Sequence, residues 1–361
     1  MKSKRYLFYF VHPSKYYLFR NSINKLKESG CQVDIAIISK DVLEDLIIKE
    51  GWEYFNLFPE GRRSNSSGRL SILFSTAINF FKTVWRLHKL TSKKKYDVYI
   101  TDDCLVITGF YRRVCSYIFI DDDLKVVPEN ALLYKFATNI ISPECTDLGK
   151  FNRKKIGYKG YHELAYLHPK YFTPDRNLVD SLVGNNQRYS IIRLVSLTAS
   201  HDINKKGIDN GKVDLLIDLL SKHGKVFISA ERKLEEKYEQ FRLKIDPKDI
   251  AHYLYFADLF IGDSQTMNTE AAILGTPAIR FNDFVGKIST MNEIEFNYRL
   301  SYGFKTNEFH LLLLKVEELL NNKNLKEEWS IKKAKLIKEK VDLNEWIINF
   351  FQNKVRDDNN C

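Results

Sequence analysis

The chain has 361 residues, 44% of them hydrophobic, with 56 Lys+Arg against 46 Asp+Glu and a formal net charge of +10. That length suits two domains, the hydrophobic fraction excludes wholesale disorder, and the basic excess favours polyanions, anionic lipid or phosphorylated substrates without choosing among them. Five cysteines (Cys31, Cys104, Cys115, Cys145 and Cys361) with no CxxC argue against a disulfide framework or a structural zinc site and fit a reducing compartment. No signal peptide and no run of roughly 20 apolar residues can be read, so a cytoplasmic, soluble or peripheral protein is expected.

Residues 6–11 form a compact apolar run that predicts a buried strand. Residues 15–29 have helical spacing through Leu18, Ile23 and Leu26, up to a stop at Gly30. Residues 33–38 predict a second strand, and Asp41 can cap a helix running to about Glu50. This alternation implies parallel strands joined by right-handed crossovers. A polar loop at 60–69 precedes a long helix over 70–91. Strands are expected at 98–101, 117–120 and 140–141, with a helix at 131–137. Residues 143–187, rich in Gly, Pro and aromatics, read as a domain junction. Alternation then resumes, with strands at 189–196, 225–229, 258–262 and 278–281. The helices expected between these strands lie near 211–222, 232–241 and 248–256. Two charged amphipathic helices, 307–321 and 325–356, close the pattern.

In open parallel sheets ligands sit at the carboxyl ends of strands, so the loops there are where chemistry is sought. The stretch DSQTMNTEAAILGTP, 263–277, follows an apolar strand and opens a helix. Asp263 or Ser264 can cap that helix, whose positive end favours an anion, and Ser264 and Thr266 add hydroxyls. A capped helix without a ligand is the plain alternative. His201, beside Asp202, Lys205 and Lys206, could serve as acid/base or phosphate ligand; a solvated loop histidine is the alternative. The acidic tips at 101–103 and 121–123 place Asp102, Asp121 and Asp122 where neighbouring carboxylates can split their pKa values, or where they act only as turn formers. His12, in the turn before Pro13, is a further candidate. The stretch 79–90 alternates basic and aromatic residues and suits either packing on the sheet or an anionic membrane surface. No Walker A, GxGxxG, HExxH or GxSxG pattern occurs.

Three stretches carry a resemblance. YFADLFIGDSQTMNTEAAILGTPAIR, YKGYHELAYLHP and RLVSLTASHDINKKG together resemble the domain-of-unknown-function family 354, over roughly residues 5–340. That family is similar in turn to the GT-B superfold and to the UDP-N-acetylglucosamine 2-epimerases. The resemblance implies an α/β protein of two Rossmann-like domains facing across a cleft. The expected divisions are an N-terminal domain at 1–160, a junction at 161–187, and a nucleotide-sugar-binding domain at 188–325. C-terminal helices at 326–361 would pack back on the first domain. By the same resemblance Ser264, Gln265 and Thr266 meet the diphosphate, Glu270 the ribose, and Arg280 matches a basic strand end. Gln265 and Thr266 replace the glycines of the epimerase loop, which sets this chain apart from a strict epimerase.

The reading that follows is a GT-B-type enzyme using a nucleotide-diphosphate sugar, UDP-linked, in surface polysaccharide or glycoconjugate synthesis. His201, Asp102, Asp121 and Asp122 stand as catalytic candidates. Ser264, Gln265, Thr266, Glu270, Arg280 and His12 stand as nucleotide-sugar contacts. No metal and no cofactor besides the UDP-sugar substrate is expected. The partners would be the sugar donor and a glycan or lipid-linked acceptor, with peripheral contact at the inner face of the cell membrane open and no specific nucleic acid. A 2-epimerase-like enzyme and a non-catalytic nucleotide-sugar-binding protein remain alternatives.

Overall fold

The computed structural model describes residues 4–39, 42–62, 69–195 and 207–354, so Asp41 and the loop holding His201 lie outside the described residues. The chain divides into two units. The first comprises Met1–Tyr166 and Asp342–Cys361, the second Leu167–Val341.

The first unit begins with β1 (Arg5–Phe10), α1 (Pro13–Glu28), β2 (Gln32–Ile37), α2 (Leu43–Lys49), β3 (Phe55–Asn56) and α3 (Arg69–Ser92). It continues with β4 (Val98–Thr101), α4 (Leu105–Arg112), β5 (Cys115–Phe119), α5 (Ala131–Phe136), β6 (Asn139–Pro143), β7 (Lys155–Tyr158) and α6 (Leu164–Leu167). The strands pair in parallel in the order β3-β2-β1-β4-β5-β6-β7. Strand β1 is buried on both faces from Tyr6 to Phe10, which explains its unbroken apolar run. Right-handed crossovers put α1 and α2 on one face of the sheet and α3, α4 and α5 on the other; α3 packs on α4 and α4 on α5. The strand order reverses between β1 and β4, so the turns after those two strands flank the switch point.

The second unit contains α7 (Arg176–Val183), β8 (Tyr189–Leu194), α8 (Asn210–Leu220), β9 (Lys225–Ala230), α9 (Ile250–Phe256) and β10 (Leu259–Gly262). After these come α10 (Gln265–Leu274), β11 (Ala278–Phe281), α11 (Ser289–Asn292), β12 (Ser301–Phe304), α12 (Phe309–Asn321) and α13 (Leu325–Glu339). Its parallel sheet runs β12-β11-β10-β8-β9, with the switch point between β8 and β10. The chain then returns to the first unit as α14 (Leu343–Asn349).

Several sequence expectations are corrected. The stretch 143–187 is not a separate junction. It carries β7, α6 and α7, and is divided between the units at residue 166. The strands β3, β7 and β12 and the helix α4 were not expected, being short or lacking clear periodicity. Residues 232–241 give only a 3₁₀ turn, Glu236–Phe241. The expected single helix over 325–356 is broken: Lys340 is extended and Asp342 caps α14 through the amide of Glu345 at 3.1 Å. The break separates two different burials. Trp329 on α13 is buried in the second unit and donates Nε1 to the carbonyl of Leu300 at 3.1 Å. Asn344 on α14 accepts from Ser22 Oγ on α1 at 3.1 Å and donates to the carbonyl of Ala165. Only the part after 341 therefore belongs with the first unit. Cys31, Cys104 and Cys145 are free thiols.

Candidate functional site

In the first unit the turns after β1, β4 and β5 bring charged groups together. Helix α1 begins at the His12–Pro13 turn, with Pro13 in its first position and no acidic residue in its first turn. Lys15 occupies that turn instead, although a cation there opposes the helix dipole. It is only 9% exposed. Its compensation comes from other elements: Lys15 Nζ lies 3.9 Å from Asp121 Oδ1 and 3.4 Å from His162 Nδ1. The same His162 nitrogen lies 3.4 Å from Asp121 Oδ2, closing a three-residue cluster. His162 is 7% exposed, stacks on Tyr158 at an interplanar angle of 18°, and its Nε2 is buried with no partner among the described residues.

The electrostatics of this cluster are uneven. Burial pushes Asp121 up, but the neighbouring His162 and Lys15 more than reverse it and hold its carboxyl below the usual range. Burial lowers the pKa of His162, with the Asp121 charge working against that. Asp121 is thus held as the anion of the cluster, beside the Lys15 cation. Next to them Asp102 is pushed up to about 7 by burial, with Lys15 partly offsetting and Asp103 adding to the rise. Asp102 Oδ1 is buried without a partner among the described residues. Asp122 is also raised to about 7, by burial and then by the Asp121 charge. Carboxyls poised near neutrality beside a fixed anion and a cation are the arrangement that lets one group give and another take a proton.

In the second unit the sequence Gly262–Asp263–Ser264 ends β10 and starts α10. Gly262 is required by close packing, since a methyl group there would sit 2.8 Å from Arg193 Cβ on the neighbouring strand β8. Ser264 is the N-cap of α10, its Oγ accepting the amide of Met267 at 3.3 Å. Helix geometry leaves other first-turn amides without an intrahelical acceptor and places a positive partial charge there. Gln265 Oε1 is buried without a partner among the described residues, and Thr266 is exposed. Asp263 is not directed to a ligand. Its carboxylate accepts the amides of Val195 and Ile208, and burial raises its pKa to about 6 against those two hydrogen bonds.

The sequence candidates thus fall into separate groups. Asp102, Asp121 and Asp122 converge in the first unit. Ser264, Gln265, Thr266 and Glu270 share the first two turns of α10 in the second unit, with Glu270 half-buried. His12 is exposed but works as a cap: its Nδ1 accepts the amide of Ser14 at 3.2 Å. Arg280, expected at a ligand, has no exposed surface and donates Nε and Nη2 to Glu295 Oε1 at 3.1 and 2.9 Å. Buried on β11, it is held by this carboxylate, while its Nη1 is buried with no partner among the described residues. His201 lies outside the described residues. Sequence reasoning missed Lys15 and His162. His162 sat in the motif YKGYHELAYLHP, and a lysine in a first helical turn with no carboxylate near it in sequence was the available signal for Lys15. Among the described residues no group of three or more His, Cys, Asp or Glu has a metal-holding arrangement, and no helix is long and apolar enough to cross a membrane.

Comparison with known proteins agrees with this architecture. An uncharacterized protein of Methanocaldococcus jannaschii, MJ0665, is 28% identical over 178 residues, 45% of this chain and 50% of that protein. The matched part therefore spans about half the length of that curated relative. UDP-GlcNAc 2-epimerase from Neisseria meningitidis, solved bound to UDP-GlcNAc, superposes with a TM-score of 0.65 at 12% identity. That superposition covers 96% of this chain and 99% of the epimerase. CalG4, the calicheamicin glycosyltransferase, gives a TM-score of 0.61 at 8% identity, covering 100% of both chains. Identities this low speak for the fold alone, two Rossmann-like units of the GT-B class. The family described as "Protein of unknown function (DUF354)" matches residues 13–339, and this chain belongs to it.

Proposed function

We propose that this protein is a GT-B-type enzyme acting on a UDP-linked sugar and transferring the glycosyl group to an acceptor in surface polysaccharide or glycoconjugate synthesis. The observation that carries the reading is the first-unit cluster, where Asp102 and Asp122 are raised to about 7 beside Lys15, Asp121 and His162. Such a group can take the proton of an attacking hydroxyl near neutral pH. In the second unit the Ser264-capped start of α10 suits the diphosphate, with Thr266 as a donor and Glu270 for the ribose. Helix ends and side-chain cations can carry leaving-group charge in such a site.

A second reading is favoured by the same cluster. Acid and base groups poised together also suit proton abstraction from a sugar carbon, as a 2-epimerase requires. The test is a thermal-shift screen against UDP-, GDP-, CDP- and dTDP-sugars, followed by turnover of the stabilising sugar with and without a hydroxyl acceptor mixture. Acceptor-dependent release of UDP supports transfer, and acceptor-independent change of the sugar supports epimerisation. Stabilisation by none of the nucleotide-sugars would sink both readings.

A further inference from the structure

Helix α3 carries large apolar side chains on two sides, one more than a surface helix needs. A helix packed on a sheet turns its apolar stripe inward and its polar side chains to water. In α3 Leu87 lies in the core with Phe80, Val84 and Leu90 packed against it, yet a second set of rings, Phe74, Phe81 and Trp85, is 68%, 70% and 59% exposed. Spacings of seven and four residues align these three rings along one outward side. Lys82 and Lys89 are exposed beside them, with Lys89 Nζ 5.3 Å from the centroid of the Trp85 ring. The neighbouring helix on that face, α4, is tied to α3 by Arg112 Nη2 donating to the carbonyl of His88 at 2.9 Å. Its last turn adds Phe110 and Tyr111, 57% and 69% exposed.

Charge chooses the occupant. From Gly61 to Tyr96 the sequence contains nine Lys or Arg and no Asp or Glu. We propose that the outer side of α3, with the adjoining end of α4, docks on an anionic lipid surface. The rings lie at headgroup level and the lysines face lipid phosphates. A second copy of the chain placed symmetrically on this side would bring its Lys82 and Lys89 into the same interface as this copy's, and four like charges there cost association energy. Lipid phosphates complement them instead, each cation near the surface strengthening attraction severalfold. The helix is about 36 Å long, enough to lie flat along a bilayer. The inference uses no residue assigned to the UDP-sugar reading, so either can fail alone.

The test is co-sedimentation of the full chain with vesicles of phosphatidylcholine alone and of phosphatidylcholine mixed with phosphatidylglycerol. Binding is expected only to the mixed vesicles and falls with added salt. F81S/W85S abolishes it, and K82E/K89E weakens it about tenfold or more. All four positions are exposed, so both variants should keep the wild-type urea midpoint. Brominated lipid should quench tryptophan emission in the wild type, and Trp85→Phe should remove most of that quenching while the protein still sediments. Absence of wild-type binding, or binding unchanged in F81S/W85S, overturns the proposal. So does concentration-dependent dimerisation lost in F81S/W85S without any vesicle binding, which would make a second copy the occupant.

Discussion

Asp263 Oδ1 accepts the backbone amide of Val195 at 2.8 Å, from a side chain that is 3% exposed. Its other oxygen accepts the amide of Ile208 at 3.4 Å. One carboxylate at the end of β10 therefore holds the two ends of the stretch that contains His201. Asp263→Leu, which keeps the size and removes both acceptors, should lower stability by about 2–3 kcal/mol, the cost of buried amides left unpaired. Amide exchange at Val195 and Ile208 should accelerate while that of the β1 core stays slow. Equal protection of both amides in the variant would contradict this role.

Asp102 carries a stability signature in pH. Its folded pKa, about 7, lies above its ordinary 3.8, so the folded state binds more protons between those values. Its contribution therefore makes stability fall as pH rises from about 4 through 7. Asp102→Asn removes that burden. The variant should match the wild type near pH 4 and be more stable by about 1–2 kcal/mol at pH 8, a figure reduced for the partial exposure of the residue. Urea midpoints at the two pH values check it; a variant less stable than wild type at pH 8 would show that the carboxylate is a structural anion.

Lys15 and His162 are expected to matter for turnover more than for binding of the nucleotide. With the UDP-sugar identified by the thermal screen, Lys15→Met and His162→Gln should each lower kcat by about 100-fold or more. The thermal shift produced by UDP itself should persist in both. Losing the Lys15 charge should also raise the pKa of Asp102 and Asp121, moving the acidic limb of the rate profile to higher pH. An unchanged profile in Lys15→Met would remove Lys15 from the site.

Glu270 is the residue on which the ribose assignment stands. Glu270→Ala should lose most of the stabilisation by UDP-sugar, read as the shift over each protein's own unliganded unfolding temperature; the residue is half-buried on α10. A calorimetric titration with UDP compares the two proteins directly. Equal affinity would place the ribose elsewhere.

The Arg280–Glu295 pair should behave as a buried ion pair does. Removing either charge alone leaves the other desolvated, at a cost of about 3–5 kcal/mol. Gly303 is part of the same arrangement, because a methyl group there would come 2.7 Å from Glu295 Oε1. Arg280→Met with Glu295→Leu should recover most of the loss, read from chemical denaturation. If the double variant is as unstable as the singles, the position demands charge for another reason.

The sheets were legible because parallel strands buried on both faces leave unbroken apolar runs, as in residues 6–11 and 259–262. The acidic tips at 101–103 and 121–123 were legible as strand ends, and the structure brings Asp102 and Asp121 into one cluster around Lys15. What stayed hidden depended on strand order. Lys15 and His162 are 147 residues apart, and only the placement of β1 at the switch point gives that lysine its partners. Arg280 misled because a basic residue on a strand reads as a ligand contact until its partner Glu295, on a π-helical turn without sequence signature, is seen. The break at 340–342 was invisible because the amphipathic pattern continues through it while the surface it covers changes.

That break has a consequence for biosynthesis. The rings of Phe350 and Phe351 pack against Tyr6, Tyr117 and Phe119, and Asn344 closes the contact with Ser22. All of these early partners leave the ribosome before the second unit is translated, and the segment that covers them follows it. The nascent first unit must therefore hold an aromatic surface open while a complete second unit forms behind it. Chaperone engagement during translation should concentrate on that interval, and a stop codon placed before Asp342 should yield an aggregation-prone first unit beside a well-formed second one.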